Sequence, residues 1–219
     1  MKLVQNTLLI SLIALGSLQA ASIQILSVDA NRFGNVKLNV DGANKTYSAG
    51  VIQASYDGGP VLDLFCVDLF TNITYDAYTS NDIAPNPLRN EDRAAWLYKN
   101  HYDRAIINTK AEGIAFQVAI WDIVHDGGDG ISSGRIRSQS GTDVAVVTAW
   151  QSFLAASVGQ SYFGVNIYIN SKNNIPAQNL IGGIRDVPPP PMADNPEPGT
   201  VAMLAAGLGV LYWKHRRPC

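Results

Sequence analysis

Apolar residues recur with two different spacings along this chain. Val36, Leu38 and Val40 alternate with Lys37 and Asn39, the period of a half-buried strand. Asp41-Gly42 then marks a turn. Tyr47–Tyr56 predicts a second strand, ended by Asp57, Gly58 and Gly59, and Val61–Phe70 predicts a third. In the third, Leu62, Leu64 and Cys66 share a face, so Cys66 is expected to point inward with two leucines. Helical spacing follows. Asn90 is placed to cap a helix through Ala94, Trp96 and Leu97 toward Tyr102. Thr109 and Glu112 form a Thr-x-x-Glu capping box for a second helix. That helix carries Ile114, Val118 and Trp121 on one stripe and stops near His125, at Gly127 and Gly128. A third helix is expected from Thr142, with Val147, Trp150 and Leu154 on one face. Phe163, Val165, Ile167 and Ile169 alternate again, and Leu180–Ile184 makes a last short strand. There is no internal repeat. Strands, a helical middle section and returning strands predict an α+β domain, β-rich and sheet- or barrel-like.

The two ends follow a different logic. Lys2 precedes an apolar stretch from Thr7 to Leu18, and small residues follow at Ala20 and Ala21. That order predicts a secretory signal peptide over residues 1–21, cut after Ala20 or Ala21. After Ile184 the chain turns proline-rich, with a run from Pro188 to Pro191. A stiff spacer over residues 185–195 is expected. An apolar segment, Thr200–Trp213, then meets Lys214, Arg216 and Arg217. A single membrane-spanning helix with its basic end in the cytoplasm fits this pattern. Residues 200–213 rise roughly 21 Å as a helix, short of a hydrocarbon core of about 30 Å, which suits a transient anchor.

Pro196-Glu197-Pro198, the apolar helix and the basic end stand in the order of the PEP-CTERM sorting signal, which this tail (residues 196–219) resembles. The resemblance implies recognition by an exosortase-type membrane protease after passage through the secretion machinery. It also implies an inner-membrane precursor that ends at the cell surface or in an extracellular polysaccharide (biofilm) matrix. It gives a destination, not an activity.

Composition narrows the classes. The chain has 219 residues, 47% hydrophobic and 16% charged, with a formal net charge of −2. That excludes an intrinsically disordered chain. With no basic run inside the domain, nucleic acid is not an expected partner. Removing both ends leaves one mildly acidic domain over residues 22–184. Cys66 is its single cysteine, since Cys219 lies in the tail. An unpaired thiol in an exported domain stands out.

Gln117 lies on the same stripe as Ile114 and Trp121. A glutamine facing a core leaves polar groups buried unless something uses them. If it meets Cys66, the thiol can attack the amide carbon and expel ammonia, leaving an internal thioester. Phe65-Cys66-Val67 and Gln117-Val118-Ala119-Ile120-Trp121 together resemble the bacterial thioester domains of surface adhesins. The sequence departs from that family at Phe116, where the adhesins carry threonine. The resemblance implies a Cys66–Gln117 cross-link that captures an amine or hydroxyl on a target surface. Such a protein reacts once and is not a turnover enzyme. Phe65, Phe116 and Trp121 are the candidate shield against water. The competing reading has Cys66 as a small buried hydrophobe and Gln117 bonded to backbone. The domain is then a non-covalent polysaccharide- or matrix-binding or structural module.

Other signals are weaker. Asp122, Asp126 and Asp129 surround glycines, but their spacing does not match the twelve-residue calcium loop, and a turn is the simpler reading. His101 and His125 lack a zinc pattern. His125 suits the end of its helix. Asp63 and Asp68 fall on opposite faces of a strand, which disfavours a glycosidase pair. Asn44-Lys45-Thr46 and Asn72-Ile73-Thr74 match glycosylation acceptors but read as turn and strand residues. No Gly-x-Ser-x-Gly elbow occurs. No metal site, cofactor or catalytic residue is expected.

Overall fold

The alternation at Val36–Val40 is the far end of a much longer strand. β1 runs Ser22–Val40 in the computed structural model, which describes residues 21–73, 75, 77–82, 89–103, 105–172 and 175–184. These residues belong to a compact unit that ends at Ile184. The signal peptide (apart from Ala21), spacer, sorting motif Pro196-Glu197-Pro198, span 200–213 and basic residues Lys214, Arg216 and Arg217 all lie outside the described residues. No described helix is long and apolar enough to cross a membrane.

β1 turns at Asp41 (φ 50°) and Gly42 (φ 85°) into β2 (Ala43–Tyr56). Two successive left-handed residues are the hairpin turn that matches strand twist. β3 (Val61–Cys66), β4 (Ala77–Asp82), β5 (Ile136–Ser138), β6 (Val165–Lys172), β7 (Ile175–Pro176) and β8 (Leu180–Ile184) complete the strands. The helices are α1 (Glu91–His101), α2 (Lys110–Asp126) and α3 (Val144–Ser157). Every pairing is antiparallel. The order β2-β3-β8-β6-β4-β1, with β1 also paired to β2, closes into a ring. The expected α+β, β-rich fold is thus a six-stranded barrel with helices packed outside it.

Closure sorts the apolar residues into two cores. Ile23, Ile25, Ile52, Ala54, Leu64, Tyr78, Tyr168 and Leu180 form one cluster with a member from every barrel strand, which is the barrel interior. The larger cluster joins the outer faces of the strands, through Phe65, Val67, Ile167 and Ile181, to all three helices. β1 serves both. Its pairing with β2 jumps from Val28↔Ile52 to Phe33↔Gly50, so Asp29–Arg32 loop out. Ile23 and Ile25 then face the barrel, while Val36, Leu38 and Val40 face the helices. Such bulges re-aim a strand.

Several local expectations are corrected. β3 stops at Cys66 rather than reaching Phe70, because its pairing with β2 ends at Ile52↔Leu64 and its pairing with β8 ends at Cys66↔Leu180. Asn90 does not cap α1 through its side chain. It sits at φ 55° and its Nδ2 donates to Ile123 O at 2.9 Å. α3 starts at Val144 rather than at Thr142, because Asp143 caps it by accepting from the Ala145 N–H at 2.8 Å. The buried face of α3 is Val146, Trp150, Phe153, Leu154 and Ser157, with Val147 only half-buried. Phe163 lies before β6 and is 56% exposed. The capping box of α2 forms as read, and the helix ends on Gly127 at φ 84°.

Candidate functional site

α2 is buried on all sides from Gly113 to Val124. Arg32, in the β1 bulge, sets its approach. The Arg32 carbonyl lies so close to Gly50 and Gly113 that a Cβ on either glycine would sit 2.2 Å from it. Helix and barrel wall therefore meet backbone to backbone, and Gln117 follows one turn later.

Gln117 is 1% exposed. Its Oε1 accepts the Cys66 N–H at 2.8 Å, and its Nε2 donates to the Cys66 O at 2.6 Å, across 51 residues of sequence. The strand geometry explains both bonds. Val67 N–H turns to β8 and donates to Asn179 O, so the polar groups of Cys66 point the other way, to the side β2 has vacated. The Gln117 amide fills that place as a strand would. The hydrogen-bonded ring holds its carbonyl carbon opposite the Cys66 Cα, and Sγ is two bonds from that Cα.

Cys66 itself is half-buried and packs against both cores. Burial pushes its thiol above the usual range, and the Asp68 charge adds to the rise. Asp68 does not join Asp63 in an acid pair; its Oδ2 accepts the Asn179 N–H at 2.9 Å. His125 Nε2 lies 2.9 Å from Val67 O and 3.3 Å from Leu69 N, which ties the segment after Cys66 to the last turn of α2.

The aromatic residues divide. Phe65 and Phe116 are fully buried with ring centroids 4.8 Å apart. Tyr98, Tyr102 and Phe153 extend that stack. Trp121 meets Tyr47 edge-on at 6.3 Å. His101 packs between Trp96 and Phe153, away from His125's contacts.

No protein-family profile and no curated protein sequence matches the chain. Among solved structures it is similar to the N-terminal domain of the Streptococcus pyogenes pilus tip adhesin Cpa. The identity is 13% over 73% of this chain and 96% of that one, with a TM-score of 0.40. At that score the likeness carries no argument, and the site rests on its own geometry.

A buried ionic cluster beside Phe65 escapes sequence reading. Arg32, 5% exposed, donates to Asp29 Oδ2 (2.6 Å), Asp63 Oδ2 (3.0 Å) and Tyr102 Oη (2.7 Å). Tyr102 also bonds Asp63 Oδ2. Burial and the Asp63 carboxylate raise the Tyr102 phenol well above its ordinary range, so it stays a donor. Asp63 lies three residues before Cys66, so this cluster fixes β3 from the helix side. Its only sequence signal is Asp63 between Leu62 and Leu64.

Proposed function

We propose that this is an exported surface or matrix protein that attaches covalently through an internal thioester between Cys66 and Gln117. The observation that supports it is the Gln117 amide clamped on the Cys66 backbone. In the first step Sγ attacks Cδ of Gln117. The Sγ–Cδ bond forms, the Cδ–Nε2 bond breaks, and the thiol proton leaves with the amide nitrogen as ammonia. The Cys66 N–H on Oε1 polarises the carbonyl and stabilises the oxyanion as it forms. In the second step a target amine or hydroxyl attacks Cδ. A Cδ–N or Cδ–O bond replaces Cδ–Sγ, and the nucleophile's proton returns to the thiol. Phe65 and Phe116 keep water from the helix side of the pair. Trp121 acts further off, by packing α2.

The tail directs this domain outward in the same reading, with an exosortase-type protease and the secretion machinery as partners. Incubation of the purified protein with methylamine tests the chemistry. One methylamine is expected to be bound per chain, at Gln117, with release of a titratable Cys66. Equal capture by Cys66→Ala would overturn the proposal.

A non-covalent carbohydrate-binding module is the second reading. A shallow groove at the β1–β5 end, where Asn39, Asn44, Arg137, Ser138 and Gln139 stand beside Ile131, favours it. Reversible polysaccharide binding that survives Cys66→Ala would support this alternative.

A further inference from the structure

The far end of α2 gathers three carboxylates that neither the thioester nor the barrel uses. Asp122, Asp126 and Asp129 each bring one ligand oxygen within 4.8 Å of the others. Asp122 is 0% exposed. Its Oδ2 accepts the Trp150 Nε1–H at 3.0 Å. Its Oδ1 is buried with no hydrogen-bond partner among the described residues. A carboxylate oxygen without a donor is costly in that position.

The surrounding groups leave the cluster open to a cation. Asp126 Oδ2 accepts the backbone N–H groups of Arg135 (2.6 Å) and Ile136 (2.8 Å), which folds the loop after α2 back over the acids. Gly134 lies directly against them: a Cβ there would stand 2.4 Å from Asp129 Oδ2 and 2.5 Å from Asp126 Oδ2. The two nearby guanidinium groups attract Asp122 and Asp126 through space but make their hydrogen bonds elsewhere. Arg93 donates to Gly127 O, Leu154 O and Ser157 Oγ, and Arg135 donates to both carboxylate oxygens of Asp41. His125 turns to Val67 and Phe70. Three mutually repelling carboxylates, one of them fully buried, are relieved by a proton or by a metal ion.

We infer that Asp122, Asp126 and Asp129 bind a divalent cation, and that the cation is calcium. The donors are all oxygen, which selects hard ions over zinc or copper. The three carboxylates come from a helix interior, a helix end and a loop, an irregular set that suits calcium better than the strict octahedron of magnesium. Water completes the shell on the exposed side of Asp129. The ion joins α2 to the loop leading to β5, and through Asp122 and Trp150 to α3. It lies beyond Gln117 on the same helix and takes no part in the acyl chemistry.

The test uses the full chain, stripped with a chelator and titrated with calcium. At about 100-fold excess over Kd, the unfolding midpoint is expected to rise by roughly 5–10 °C. Terbium is expected to show emission sensitised by Trp150 and displaced by calcium. In Asp129→Asn the calcium shift is expected to be lost, while the midpoint in chelator stays level or rises, because one repelling charge has gone. Asp122→Asn is expected to lose both the shift and the terbium signal. No shift and no sensitised emission in the wild-type protein would overturn the site. An undiminished calcium shift in Asp129→Asn and Asp122→Asn would overturn it equally. An equal shift from magnesium would overturn the choice of calcium.

Discussion

At Gln117 a single side chain stands in for a strand. Its amide satisfies both backbone groups of Cys66 where β2 has turned away. Replacing it with leucine keeps the volume and strands two backbone groups in a core. We expect Gln117→Leu to lose about 2–6 kcal/mol, at about 1–3 per unsatisfied group, measured by urea unfolding. Asp122 gives a second prediction at this scale. Burial, then the charges of Asp126 and Asp129, raise its pKa from 3.8 to about 7. The folded state therefore holds a proton that the unfolded state has released. Stability contributed by that proton is complete below about pH 4 and is lost as pH rises toward 7, by a few kcal/mol in order of magnitude. In chelator, the difference between wild type and Asp122→Asn is expected to narrow or reverse across that window. A pH-independent difference would contradict the assignment. Gln117 was legible as a candidate because a lone amide interrupts an apolar stripe. Asp122 was weighed only with its neighbours in the turn, since sequence gives no sign that Trp150 would take one of its oxygens.

Among the elements, α2 was the most legible. Its capping box and its terminal glycine are local signals, and both form as read. β1 was the least legible. Its bulge at Asp29–Arg32 breaks the alternation, so only the part after the bulge, Val36–Val40, reads as strand. The apolar residues of the third strand run on to Phe70, while its pairing ends at Cys66. The contact between α2 and the bulge supports a prediction of its own. Alanine in place of glycine inside a helix ordinarily gains about 1 kcal/mol. At Gly113 the added Cβ would sit 2.2 Å from the Arg32 carbonyl oxygen, a backbone atom that cannot rotate aside. Overpacking of this kind costs about 1–3 kcal/mol or more, so the clash wins. Gly113→Ala is expected to lower the unfolding midpoint and to loosen the Gln117–Cys66 register. The latter is read as faster amide hydrogen exchange at Cys66. An unchanged or raised midpoint would contradict this packing.

At the scale of the whole domain, Cys66 and Gln117 meet where α2 packs on the outside of the barrel beside the edge β2 has left, and barrel closure is not written in any one segment. It depends on β1 pairing with both β2 and β4, and on β8 returning between β3 and β6. Alternation shows that a strand exists but not which edge it meets, so the sequence supported a sheet or a barrel alike. The two cysteine–glutamine motifs were visible from residue type and order; their contact needed the gap in the wall. The central claim is that this contact becomes a bond. The most direct measurement is the intact mass of freshly purified protein beside its Cys66→Ala variant. The wild-type chain is expected to be lighter than its sequence by one ammonia, and the variant to show no deficit. A wild-type chain of full mass with a titratable Cys66 would contradict it.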